Sequence, residues 1–567
     1  MYAQVTFPLS SFRTFTYTIP ESMISEILPG TCVITPFRNT ERVGYVLSTS
    51  SACDYRGEIK SILRTHQEDL SISEELWKTM EWVSRYYITP LGMVLKTAIP
   101  LSFIENYQPR MEKYARITEE GIQALPDIPN NYSAQRNILE ALFAVDEPVK
   151  ISSMKHICSS PSVICNKFAE KGYISLSSHP KIYDPFDMMS PGTPQEITLN
   201  EEQNEAFVKI SAGMEVGKYT PWLLKGVTGS GKTEVYLKLA QQAVDLGKSV
   251  MVLVPEIALT PQVARRFRLA FGNRVALWHS AMTRAEKGWT WQQLKKGKYS
   301  VVVGARSAVF TPLKNLGLII VDEEQETSYK QDNPAPRYHA RDIALVRGKN
   351  AGAAVLLTSA TPSLESYYNS LNGRLDELKL TKRYGNAVYP DVKLVDMKLE
   401  QRETSNYNLL FSRILIEEIN LRLDKKEQII LLQNRRGFAV IQQCLDCGHI
   451  EECVDCAVSL TYHSVGHKLL CHYCRKEKPV LEICPVCAGI KLTFSGSGTQ
   501  KVEDEVHRQF PNAKVVRMDV DSTRGRGKHY KILKTFGDGK ADILLGTQMI
   551  AKGLDFENVT LVGVINA

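Results

Sequence analysis

Residues Gly226 to Thr233 read GVTGSGKT and fill every fixed position of the phosphate-binding pattern G-x-x-x-x-G-K-[ST]. The apolar Trp222-Leu223-Leu224 leads in, and the helix-patterned stretch Glu234 to Val244 follows. That order matters, because backbone N–H groups with no Cβ in the way can wrap phosphates while the helix N-terminus adds its positive dipole end. Gly226, Thr228, Gly229, Ser230 and Gly231 would form the cradle, Lys232 would reach the β/γ-phosphates and Thr233 would hold Mg²⁺.

Around this loop, helix-like segments alternate with short apolar runs at Val250–Val254, Val275–Trp278, Tyr299–Val303, Leu318–Val321 and Ala354–Thr358. The pattern resumes at Gln428–Leu432, Lys491–Phe494, Lys514–Met518, Ile543–Leu545 and Thr560–Ile565. Such alternation predicts parallel α/β sheets with helices on both faces, here in two lobes. The run Leu318–Val321 leads into Asp322-Glu323-Glu324-Gln325, placing acids at the C-terminal end of a buried strand. Asp322 is suited to hold Mg²⁺ through water, and Glu323 to orient the attacking water. The amide of Gln203 is suited to paired hydrogen bonds with an adenine edge, although a helical Gln is ordinarily solvent-facing. Thr358 to Pro362 closes another strand with small hydroxyl residues fit to relay phosphate state.

Residues 1 to about 100 alternate apolar and polar in short runs punctuated by Pro and Gly, which predicts a β-rich module. Its Phe12-Arg13-Thr14-Phe15-Thr16-Tyr17 is either strand core or a base-stacking tip. From about 105 to 185, three short helices and a strand predict a winged-helix or helix-turn-helix unit, whose Lys155, His156, Lys167 and Lys171 face either phosphates or water. No apolar run reaches the roughly 18 residues of a membrane span, and the N-terminus lacks a signal-peptide pattern, so a cytoplasmic protein is expected. The 69 Lys and Arg against 62 Asp and Glu leave +7, a surplus too mild to identify a partner.

Eight of the 12 cysteines form four C-x-x-C pairs: Cys444/Cys447, Cys453/Cys456, Cys471/Cys474 and Cys484/Cys487. Two tetrahedral Cys₄ sites for Zn²⁺ use all eight thiolates, and closed sites of this kind are structural. The spacing between Cys456 and Cys471 resembles a zinc ribbon, so the two middle pairs are expected to share one ion. His449, His463, His467 and His472 are expected at the surface, and Cys32, Cys53, Cys158 and Cys165 as small buried hydrophobes.

A set of longer stretches carries a family resemblance: VLVPEIALTPQ from Val252, VGARSAVFTP from Val303, DEEQ from Asp322, YKQ and RYHARD within Tyr329–Asp342, SATPSLES from Ser359, NRRGFA from Asn434 and GTQMIAKGLDF from Gly546. Together they resemble the PriA family of superfamily II DNA helicases, which serve bacterial replication restart. The resemblance spans the chain and implies two RecA-like helicase lobes, the second incomplete and carrying a zinc-binding insert, preceded by a β-rich 3′-end DNA-binding domain and a winged helix. The implied boundaries are 1–104 and 105–185 for the two leading domains, 186–198 for a linker and 199–384 for lobe 1. Lobe 2 would occupy 385–442 and 490–567, around an insert at 443–489.

By the same resemblance, the chain is an ATP-dependent 3′-to-5′ helicase acting on forked and single-stranded DNA. Its partners would be primosome and single-strand-binding proteins, and it would act as a monomer. Lys232, Thr233, Asp322 and Glu323 take the ATP and Mg²⁺ roles, and Gln203 the adenine contact. Cys444, Cys447, Cys484 and Cys487 share the second Zn²⁺ in a nested pattern. Phe15 matches a base-contacting aromatic, while Arg337 and Tyr338, in a loop that couples DNA contact to hydrolysis, suit phosphate contact and base stacking. Two positions depart from the family: Thr16 stands where Asp is expected and Gln325 where His is usual. Superfamily II motors also carry an arginine-rich motif later than the last residues here, so a truncated chain with turnover lowered by about 10³ to 10⁵ is expected. The alternative is a non-hydrolysing scaffold that binds forks and assembles partners.

Overall fold

The computed structural model describes residues 1–53, 55, 57–66, 71–100, 111–145, 147–181, 198–255, 261–383, 390–406, 409–433, 441–463, 466–471, 473–495, 499–518, 528–547, 550 and 556–565. Most of the expected linker, the NRRGFA stretch, His472 and parts of the VLVPEIALTPQ and GTQMIAKGLDF stretches lie outside the described residues. The chain divides into two compact units, Met1–Ala387 and Val388–Ala567. Among the described residues, no helix is long and apolar enough to cross a membrane.

The first unit opens with an antiparallel five-stranded sheet, ordered Phe15–Thr18, Tyr2–Thr6, Thr40–Ser50, Cys32–Phe37, Arg64–Thr65. Alternation sends Ala3, Val5, Tyr17, Val33 and Val46 into one core. Two helices follow, Glu74–Tyr86 and Leu91–Ala98. Leu76, Trp77, Met80 and Val83 recur at helical spacing and form the buried face of the first. Gly92, in the first turn of the second, lies against the backbone just past the strand Tyr2–Thr6, where a Cβ would lie 2.0 Å from the Phe7 carbonyl oxygen.

Residues 111–180 form a three-stranded antiparallel sheet, ordered Val149–Lys150, Met111–Ile117, Ile174–Pro180, with helices Glu119–Ala124, Ser133–Phe143 and Pro161–Glu170. Two of these strands were not anticipated, and Ile151–His156 is a 3₁₀ turn instead of an α-helix. In Met111–Ile117 (MEKYARI) only Ala115 is buried, so the apolar alternation that betrays a strand is missing.

The centre of the first unit is a seven-stranded parallel sheet, ordered Val275–Trp278, Val301–Gly304, Ser249–Leu253, Leu316–Val321, Ala354–Ser359, Thr220–Gly226, Asp376–Leu380. Met251 and Leu253 feed one apolar core while Val250 and Val252 feed the other, so helices cover both faces. The edge strand Asp376–Leu380 (DELKL) escaped the sequence reading because an edge strand tolerates charge.

One of these cores is shared with the N-terminal helices: Leu76, Trp77 and Met80 belong to the same cluster as Phe310, Tyr338, Ile343 and Ala344. Arg347 on the helix Ala340–Ala351 is fully buried and donates to Glu75 at 3.2 and 2.9 Å and to the Val309 carbonyl at 2.6 Å. Asn350 Nδ2 donates to Thr79 Oγ1 at 3.0 Å, further along the same seam.

The second unit holds a four-stranded parallel sheet, ordered Val515–Met518, Ile543–Gly546, Gln428–Gln433, Val559–Ile565. Leu492–Ser495 is not part of it. That strand pairs antiparallel with Ile441–Cys444 and closes the base of the cysteine-bearing segment, which corrects its sequence assignment to the α/β alternation. A small sheet of Thr461–His463, Lys468–Leu470 and Glu477–Pro479 completes the segment.

Candidate nucleotide site and metal centres

The glycine loop joins the strand Thr220–Gly226 to the helix Lys232–Asp245 at the C-terminal edge of the parallel sheet. Gly229 and Gly231 have φ of +77° and +75°, a conformation that costs an L side chain about 1–2 kcal/mol. At Gly231 a Cβ would also lie 2.3 Å from Gln203 Nε2, and at Gly226 2.5 Å from Ser230 Oγ. Ser230 Oγ itself is buried with no hydrogen-bond partner. Lys232 Nζ folds onto its own loop, donating to the Gly226 carbonyl at 2.8 Å and to that of Val227 at 3.4 Å. Burial lowers the Lys232 ammonium from its ordinary value, and the nearby Glu323 and Asp322 carboxylates oppose that shift. A loop with glycine at its left-handed positions, an orphaned hydroxyl and an ammonium resting on carbonyls fit a phosphate chain.

Asp322 follows the strand Leu316–Val321 directly. Its Oδ1 accepts from Thr358 Oγ1 at 2.5 Å and from the Glu323 amide at 3.1 Å, and its Oδ2 accepts from Tyr236 Oη at 3.2 Å. Burial raises its carboxyl above the ordinary range, with the Thr358 hydrogen bond opposing. Glu323 sits at φ +48°, which turns the chain sharply at the strand end. Its Oε2 accepts from Gln325 Nε2 at 2.7 Å, Gln325 Oε1 accepts from Ser359 Oγ at 2.7 Å, and Ser359 Oγ accepts from the Thr361 amide at 2.9 Å. Thus Gln325 links the acidic turn to the Ser359–Thr361 turn within the first unit. Thr233 begins the helix beside Lys232 and is half-buried. Thr228 lies in the loop's turn.

Several expectations change. Gln203 is fully buried, and its amide is already used: Oε1 accepts from the Asn200 amide at 2.9 Å in a capping box, and Nε2 donates to the Ser230 carbonyl at 2.9 Å. It braces the glycine loop, and a paired contact to adenine would require both bonds to break. Tyr338 is also fully buried, its ring edge-on to Phe310 with centroids 5.2 Å apart. It therefore presents no face for base stacking, because the shared core claims the ring. Its neighbour Arg337 is exposed. Phe15 is half-buried in an aromatic cluster with Phe7 and Phe37, and Thr16 Oγ1 accepts from Gln4 Nε2 at 2.9 Å across the strand pair. Cys53 and Cys158 are only half-buried, unlike Cys32 and Cys165.

Two residues that sequence reasoning passed over help build the site. Glu324 is completely buried and accepts from Arg341 Nη1 at 3.1 Å, the Ser363 amide at 2.8 Å, Ser363 Oγ at 3.0 Å and Ser366 Oγ at 2.8 Å. Tyr236, also fully buried, carries the hydroxyl that holds Asp322. Its place one turn past Lys232 was the available signal, since i and i+4 share a helix face.

In the cysteine segment, Cys444, Cys447, Cys484 and Cys487 form one group and Cys453, Cys456, Cys471 and Cys474 another, with ligand atoms within 4.8 Å of one another in each. Within the groups, the sulfur pairs Cys444–Cys487, Cys447–Cys484 and Cys453–Cys474 stand 3.5–3.6 Å apart. Four sulfurs around one Zn²⁺ at about 2.3 Å would stand about 3.8 Å apart, so both groups fit a tetrahedral ion. One backbone knuckle is used four times. The amides of Gly448, Ala457, Arg475 and Ala488 donate to the carbonyls of Cys444, Cys453, Cys471 and Cys484 at 2.8–3.0 Å. All four donors have positive φ, between 50° and 80°. Amides aimed at sulfur favour thiolate: the Cys474 backbone N–H helps draw the Cys471 thiol down to about 7. His449 pairs with Glu451 at 3.1 Å and His467 with the Tyr462 hydroxyl at 2.8 Å, so neither joins a sulfur group.

Comparison with known proteins adds three family matches: the 3′DNA-binding domain (3′BD) over residues 4–100, the DEAD/DEAH box helicase over 200–369 and the PriA DNA helicase Cys-rich region over 453–479. Replication restart protein PriA of Bacillus subtilis is 36% identical over 98% of this chain and 77% of its own length. The protein of that name from Chlamydia pneumoniae is 36% identical over the whole chain and 76% of its own length.

Proposed function

We propose, from the premise that this chain belongs to the PriA family of replication restart helicases, that it hydrolyses ATP to unwind forked DNA in the 3′-to-5′ direction and starts primosome assembly there. The observation that carries the reading is the juxtaposition of the glycine cradle with the acidic turn, where the Asp322 and Glu323 carboxylates act on Lys232. Lys232 exchanges its two loop carbonyls for phosphate oxygens. Thr233 and Asp322 would hold Mg²⁺, which supplies Lewis-acid charge at the phosphates when bound. Glu323 orients the attacking water, and Gln325 and Ser359 report its position to the strand end. Gln203 keeps the loop in shape.

Arg337 and Phe15 contact DNA in this reading, at the exposed loop and at the tip of the N-terminal sheet, and the unit at 111–180 serves as the winged helix. The two sulfur groups each hold a structural Zn²⁺. Primosome and single-strand-binding proteins are the partners, and the chain works as a cytoplasmic monomer; the name of its relatives, replication restart protein PriA, supports the replication-restart role alone.

The test is ATP turnover of the 567-residue chain with and without forked DNA, beside Lys232→Ala. DNA-stimulated turnover that falls at least about 100-fold in Lys232→Ala is expected, the size typical for removing one charge-stabilising donor. Equal turnover in both proteins, or none in either, refutes the motor reading, and the second outcome leaves a fork-binding scaffold.

A further inference from the structure

The loop from Tyr329 to His339 lies between the nucleotide site and the N-terminal module, and it is tied to both. On the nucleotide side, Tyr329 is fully buried and its hydroxyl donates to the Asp322 backbone carbonyl at 2.6 Å. At its base, Lys330 and His339 face each other in an antiparallel bridge, and the Gln331 amide donates to the Tyr338 carbonyl at 2.8 Å. Arg306 Nη1 donates to the carbonyls of Ser328 at 3.3 Å and Lys330 at 2.8 Å. The loop is thus a closed hairpin whose entry touches the backbone of the acidic turn.

On the other side stands Tyr87, the residue that caps the helix Glu74–Tyr86 of the N-terminal module. Its hydroxyl oxygen accepts from the His339 amide at 3.0 Å, and the Lys330 ammonium lies 5.2 Å from its ring centroid. One side chain therefore grips both strands of the hairpin base. The helix that carries it is anchored separately, by Glu75 to Arg347 and Thr79 to Asn350, so Tyr87 projects from a fixed support. Lys330 directly follows Tyr329, whose hydroxyl holds the Asp322 carbonyl, which leaves little slack between Tyr87 and Asp322.

We propose that Tyr87 is a positioning residue for nucleotide turnover, holding the Lys330/His339 hairpin base so that Tyr329 fixes the Asp322 backbone and the N-terminal module is mechanically linked to the acidic turn. This rests on the motor reading for its catalytic consequence, but the hairpin contact is measurable without it. A hydroxyl acceptor removed from a part-buried amide is expected to change populations by about three- to tenfold.

The experiment compares Tyr87→Phe, which keeps the ring over Lys330 but removes the acceptor, with Asn350→Ala, which weakens the same seam away from the loop. Amide hydrogen exchange over 327–339 in the nucleotide-free chain is expected to quicken about three- to tenfold in Tyr87→Phe and to stay at the parent rate in Asn350→Ala. DNA-stimulated kcat is expected to fall by a similar factor in Tyr87→Phe alone, with KM for ATP within about twofold of the parent. Unchanged exchange in Tyr87→Phe overturns the grip, and faster exchange with unchanged kcat overturns the link to turnover. Equal losses in both variants also overturn the proposal, because they would mark general weakening of the seam. Absence of turnover in the parent chain refutes the motor reading and with it the catalytic role, while the exchange result still decides the grip.

Discussion

Substituting Glu75 by Ala would strand one of the most deeply buried charges in the first unit. Arg347 is fully buried and Glu75 side-chain exposure is 18%, so water does little to screen the pair. At an effective dielectric of about 20, two charges about 4 Å apart attract by about 4 kcal/mol, and removing one partner of a buried pair costs about 3–5 kcal/mol. The Val309 carbonyl retains one hydrogen bond to the guanidinium but cannot neutralise it. Glu75→Gln keeps an acceptor oxygen and should lose only the charge-assisted part, about 1.5–3 kcal/mol. The double change Glu75→Leu with Arg347→Met should be milder than Glu75→Ala, since apolar replacement of a buried pair is often close to neutral. Urea unfolding followed by tryptophan fluorescence reads the seam, because Trp77 is buried within it. A loss below about 1 kcal/mol in Glu75→Ala, or a double variant as damaged as the single one, would refute the assignment of this pair as the electrostatic anchor.

Two further outcomes follow from the sites. Purified chain should carry about two Zn²⁺ by elemental analysis, and chelation should make 441–495 the first segment cut by protease; protection unchanged by chelation would show that the knuckles do not depend on metal. Asp322→Asn should raise the melting temperature near pH 7.5 while abolishing turnover. Burial raises the folded-state carboxyl value, so its favourable contribution is complete below the ordinary carboxylate range and is lost as pH rises through the folded value. The gain from Asn should therefore shrink as pH falls toward that range, and a gain independent of pH would exclude charge burial as its cause.

What could be read from the sequence was local. The glycine loop, the strand before Asp322 and the four cysteine pairs each combine a short pattern with a demanding geometry, and all stand where spacing implies. What could not be read was decided by packing between distant segments. Tyr338 looks like a stacking residue in RYHARD until Phe310 and the N-terminal helix close over it. Gln203 braces Ser230 27 residues on, and the partners of Glu324 lie 17 to 42 residues away, so these bonds leave no mark on neighbouring sequence. The strands Met111–Ile117 and Asp376–Leu380 failed for the opposite reason, since their charged side chains conceal the period of two.

The shared core beneath the N-terminal helices bears on how portable its parts are. The 3′DNA-binding match ends at residue 100, which marks a unit of descent. Severed there, the segment would turn Leu76, Trp77, Met80 and Val83 toward water and leave Glu75 without its cation. Side chains of this size lose about 1.5–3 kcal/mol each when exposed, together comparable to the whole stability of a small domain. Inheritance and autonomy have come apart at this seam: the piece that evolution recognises as separate has been soldered to its neighbour.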